Sequence, residues 1–175
     1  MNFKNNEDFD ITEINKFLVS RFKSYEDFKK YANSVGPSIF GAIRPNDKKE
    51  LKLIIRETVV KEGNECDLNF IDTSLITDMS GLFEDMPGFN GKIDKWNTSN
   101  VTDMGCMFRD AKKFNQPIGD WDVSNVERTA GMFECASSFN QPIDNWNVSN
   151  VTKMSRMFED SKLEMLGKIP SWYKE

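Results

Sequence analysis

One motif recurs along this chain at a constant spacing. Phe114 to Ala136 reads FNQPIGDWDVSNVERTAGMFECA. It returns as FNQPIDNWNVSNVTKMSRMFEDS from Phe139 to Ser161, and it is preceded by FNGKIDKWNTSNVTDMGCMFRDA from Phe89 to Ala111. A half copy, IDTSLITDMSGLFEDM, runs from Ile71 to Met86. A period of 25 residues marks a solenoid or array, in which no repeat buries its apolar face alone.

The apolar positions form columns. They are Phe89, Phe114 and Phe139; Ile93, Ile118 and Ile143; Trp96, Trp121 and Trp146; and Ile76, Val101, Val126 and Val151. Leu82, Met107, Met132 and Met157 make another, followed by Phe83, Phe108, Phe133 and Phe158. A side chain that returns every coil stacks on its own copies, so these columns are expected in the core and not as a ligand box. The indole edges are the exception, since a Trp can sit at a rim with its N–H in water.

Local patterns suggest how each coil is built. Segments such as VTDMSGLF space apolar residues as i, i+3, i+6 and i+7, which suits a short helix or turn. The FNQPIxxWxVS half, with its proline, β-branched residue and tryptophan, suits an extended strand. The expected fold is therefore α/β: a right-handed leucine-rich-repeat-like solenoid with one short strand and one short helix per coil. The repeats span 70–162. Residues 1–69 are expected to be a helical N-terminal cap, because an array end is an open apolar face. Within it, Ile11 to Phe22, Phe28 to Val35 and Lys48 to Glu62 carry helical spacing, the last framed by Asp47, Glu50 and Gly63. Residues 163–175, with Ile169 and Trp172 one place beyond the columns, read as a C-terminal cap.

Polar residues repeat too. Ser74, Ser99, Ser124 and Ser149 are followed by Asn100, Asn125 and Asn150 in the full copies and by Leu75 in the half copy. Asp72, Asn97, Asp122 and Asn147 form a further column. Turn backbone needs hydrogen-bond partners, so at least one of these columns is expected to be an internal structural ladder. A metal ladder is disfavoured, because the glycine-rich spacing of calcium-binding rolls is missing.

The motif W-[ND]-V-S-N-V-T-x-M-x-x-M-F-x-x-A-x-x-F-N-x-P-I resembles the BspA-like leucine-rich-repeat family of bacterial surface proteins, across Leu68 to Ser161. The lead-in RPNDKKELKLIIRETVVKEGNECDLNF and the ending IPSWYKE resemble flanks of such arrays. The resemblance implies a surface that binds host proteins or other cells. The chain departs from the pattern where Thr129 replaces the Met seen at Met79, Met104 and Met154, and where Leu163 and Glu164 stand near the expected Phe.

Composition narrows the function. The net charge of −5 argues against a general nucleic-acid or membrane-surface role. No apolar run could serve as a signal-peptide core or span a bilayer, so the chain is expected in the cytoplasm, without membrane insertion. Histidine is absent, and neither a P-loop nor a dinucleotide fingerprint occurs. Cys66, Cys106 and Cys135 have no CxxC spacing and read as free thiols. The expected function is non-enzymatic protein–protein binding by a monomer without cofactor or metal. The contact surface would be the variable positions Lys92, Asp94 and Lys95, then Gln116, Gly119 and Asp120, then Gln141, Asp144 and Asn145. An adhesin-like surface role is the alternative. Glycan hydrolysis by paired carboxylates among Asp94, Asp120 and Asp144 is a remote third.

Overall fold

A computed structural model describes residues 43–174. The helices expected near Ile11 and Phe28 lie outside these residues. Helix α1 spans Lys48–Glu62. Asp47 caps it by accepting the Glu50 backbone N–H at 2.9 Å, which satisfies one of the donors that every helix start leaves open. Gly63 ends it with φ at 88°, a left-handed value that glycine adopts without penalty. Leu51, Leu53, Ile54, Ile55 and Thr58 are its buried residues, and the Thr58 hydroxyl donates to the Ile54 carbonyl at 2.8 Å.

The repeat does not fold as strand plus helix. Among the described residues the only other helix is α2, Lys162–Met165, and β pairing is confined to isolated parallel bridges. The expected α/β leucine-rich-repeat solenoid is therefore wrong. Three of the bridges, Asp78 to Asp103, Asp103 to Arg128 and Arg128 to Lys153, fall in the segment that was expected to be helical.

The backbone explains this reversal. Gly81, Cys106, Gly131 and Arg156 occupy one column, and all have φ between 54° and 62°. Asp85, Asp110, Cys135 and Asp160 occupy another, with φ between 55° and 59°. Two left-handed residues within five positions prevent a continuous right-handed helix. The freed N–H groups turn toward the next coil instead. Met79, Gly81, Phe83 and Asp85 donate to the carbonyls of Asp103, Gly105, Met107 and Arg109 at 2.8–3.0 Å. Met104, Cys106, Phe108 and Asp110 do the same to Arg128, Ala130, Met132 and Glu134. Thr129, Gly131, Phe133 and Cys135 repeat it on Lys153, Ser155, Met157 and Glu159. In the other half of the coil, Pro117 and Pro142 lack the N–H with which Lys92 bonds the Cys66 carbonyl, so a strand cannot propagate there.

Aromatic columns fill the space that these coils enclose. Phe83, Phe108, Phe133 and Phe158 stack at 5.5–5.8 Å with ring planes within 7° of parallel. Phe89, Phe114 and Phe139 stack beside them at 6.1 and 5.9 Å. Within a coil the two columns touch, as in Phe108 and Phe114 at 3.9 Å. Trp96, Trp121 and Trp146 are buried, not at a rim. Their indole N–H groups donate to the carbonyls of Leu68, Ile93 and Ile118 in the preceding coil. The tail ends the stack: Trp172 lies 6.4 Å from Trp146, and Tyr173 packs edge-on against Phe158.

Candidate functional site

The polar columns tie neighbouring coils together along the surface. Each Ser column N–H closes a turn on an oxygen two residues earlier: Ser74 on Asp72, Ser99 on Asn97, Ser124 on Asp122 and Ser149 on Asn147. Asn100, Asn125 and Asn150 then reach back one coil and donate Nδ2–H to the carbonyls of Ser74, Ser99 and Ser124 at 2.8, 2.7 and 2.6 Å. This Asn ladder is exposed, whereas an internal one was expected. Leu75 stands at its first position.

The expected contact residues divide into two sets. Gln116 and Gln141 are structural clamps. Gln116 Nε2 donates to the Asn90 carbonyl and Oδ1 at 2.9 and 3.1 Å, and Gln141 does so to Asn115 at 3.1 Å each. Asp94 accepts from Asn69 Nδ2 at 2.9 Å, which fixes it against the coil before. Lys92 lies 3.9 Å from Asp67. Gly119 is close-packed, because a Cβ there would meet the Pro142 carbonyl at 2.6 Å. Lys95, Asp120, Asp144 and Asn145 are exposed.

At the C-terminal end, this face becomes a groove of about 510 Å³. Asn140 to Asp144 form one wall; Lys168, Ile169, Pro170 and Ser171, with Leu163, form the other. Asp144 and Lys168, both exposed, put opposite charges on a recess of mixed polar and apolar lining. Asn140 brings a further feature. Asn90 Oδ1 and Asn115 Oδ1 each accept the backbone N–H of the next coil's Asn, and each Asn carbonyl accepts a Gln amide. No donor among the described residues reaches the same two oxygens of Asn140, for Met165 and Leu166 stand one period later. The groove was not legible from the repeat, since its second wall is the tail.

The ionisable groups otherwise serve the fold. Burial alone would raise the Asp78 carboxyl, but hydrogen bonds from Lys48 and Ser80 outweigh it and hold it below the usual range. Asp72 is lowered in the same way, burial opposing and Ser74 and Arg44 prevailing. Hydrogen bonds from Ser124 lower Asp122. Burial, with Glu62 nearby, pushes the Cys66 thiol up to about 11, and burial also raises Cys106 and Cys135. Arg156 joins Glu134 to Glu159, and Arg109 pairs with Glu84, linking successive coils by charge.

A family model described as "Mycoplasma protein of unknown function, DUF285" matches residues 55–172. The chain belongs to this family. The matched stretch begins inside α1 and ends at Trp172, so family membership covers the whole aromatic stack and the residue that closes it. No curated protein and no solved structure matches the chain. No helix among the described residues is long and apolar enough to cross a membrane.

Proposed function

We propose that this chain is a non-enzymatic binding module, whose contact surface for a protein partner runs along Lys95, Asp120, Asp144 and Asn145 into the C-terminal groove. The observation that carries this reading is the groove itself: a recess of about 510 Å³ of mixed polar and apolar lining, with Asp144 and Lys168 among its residues. Such a recess suits one anchoring side chain of a partner, with the charges selecting its neighbours. The exposed residues of this face extend it. Free thiols fit a cytoplasmic, reducing setting.

The test is capture with tagged wild type beside the triple variant Asp120→Ala, Asp144→Ala and Lys168→Ala, with circular dichroism as the fold control. A partner retained by wild type and lost by the folded variant supports the assignment. Equal retention by both would refute the proposed face, and fractionation of cells would check the compartment.

A further inference from the structure

The row of coil-to-coil donors does not end with the last coil. Twelve backbone N–H groups, four per interface, meet carbonyls of the next coil three times over. The fourth coil presents the same row at Met154, Arg156, Phe158 and Asp160. Asp160 N–H is taken by the Glu164 carboxylate at 2.7 Å. The N–H groups of Met154, Arg156 and Phe158 have no acceptor among the described residues. Lys153, Ser155 and Arg156 are exposed and Met154 is half-buried, so this flank is not covered by the tail, which sits over Phe158 and Trp146.

We infer that this row is a docking edge for a parallel segment of another polypeptide of the type Asn-Val-Thr-x-Met-x-x-Met, added as a fifth coil. The internal interfaces point to the occupant, since each such row is filled by carbonyls at alternate residues of a repeat segment, of this type in two of the three and with Glu127 and Thr129 in place of Thr and Met in the other. Glu164 shows the same preference, for it supplies an oxygen to the one donor that is satisfied. Asn140 displays a matching vacancy on the opposite flank, with acceptors where a fifth coil would bring donors.

Polarity disfavours a symmetric pair of this edge, because it would set the N–H groups of Met154, Arg156 and Phe158 against one another. A head-to-tail second copy is disfavoured as well. Its complementary carbonyls belong to the first coil, and there a second copy would have to pass Lys48, whose Nζ bonds the side chains of Asp78 and Ser80 at 2.8 and 2.7 Å beside them. A separate segment adding to an open edge is the mode that remains, with main-chain bonds giving affinity and register.

The probe is a synthetic peptide with the sequence of residues 147–161, titrated into the full chain and followed by amide NMR. Saturable shifts at Met154, Arg156 and Phe158, with exchange at these amides slowed about tenfold or more, are expected. A scrambled peptide should leave them unmoved. Absence of such shifts, shifts only around Asn140 to Asp144, or equal shifts with the scrambled peptide would overturn the inference. So would the same shifts on concentrating the chain without peptide, which would assign the edge to a second copy. The triple variant at Asp120, Asp144 and Lys168 should bind the peptide as wild type does, so this inference and the proposed contact face fail separately.

Discussion

The indole N–H of Trp172 donates to the Ile143 carbonyl at 3.2 Å, although Trp172 sits one residue beyond the repeat register. The bond continues what Trp96, Trp121 and Trp146 do in the coils before, and the ring stacks on Trp146. Replacing Trp172 by Phe keeps most of the stack and loses one hydrogen bond, for an expected cost of about 1 kcal/mol. Trp172→Ala also opens the end of the core and should cost roughly 3 kcal/mol. Urea midpoints of the two variants check the order; equal losses would mean that the hydrogen bond, not the ring, closes the stack.

Thr129 interrupts the methionine column, and its buried hydroxyl is the one buried side-chain polar atom without a partner among the described residues. Thr129→Val removes the polar atom and keeps the shape. The variant should gain about 1 kcal/mol, read as a higher melting temperature. A loss would mean that the hydroxyl is satisfied in solution.

Cys135 stands in the left-handed column otherwise filled by Asp85, Asp110 and Asp160, with φ at 59°. Asn tolerates that conformation better than Cys and adds no charge beside Asp110 and Asp160. Cys135→Asn should therefore raise stability by up to about 1 kcal/mol, while Cys135→Ala should not. Thermal melts of both variants decide this.

Asp72, Asp78 and Asp122 all have carboxyls held below their ordinary range. A carboxylate with a depressed folded pKa adds stability that is present above its unfolded value, about 3.9, and is lost as pH falls through the folded value. Urea midpoints should thus show no contribution from these groups to any change between pH 7 and 5, and a decline below about pH 4. Asp72→Asn should flatten that decline. A steep loss already at pH 6 would point to other groups.

Much of the core was readable in the sequence. The Phe, Ile, Trp and Met columns are stacked because a 25-residue period leaves them no other partners. The helix expected over Lys48–Glu62 forms between its acidic cap and Gly63. The backbone path was not readable. The left-handed column at Gly81, Cys106, Gly131 and Arg156 mixes glycine with residues that rarely adopt that conformation, so composition hides it. A segment with helical spacing therefore carries the parallel bridges. Gln116 and Gln141 looked like free surface residues, because the repeat pattern does not show that their amides reach the Asn90 and Asn115 carbonyls one coil back. The groove depends on Lys168 to Ser171, outside the repeat.

Amide hydrogen exchange tests the architecture most directly. The account predicts slow exchange at Met79, Gly81, Phe83 and Asp85 and their counterparts through Cys135, whose acceptors lie in the next coil, and fast exchange at Met154 and Arg156. Exchange at the internal coils as fast as at Met154 and Arg156, or equal protection in the last coil, would contradict it.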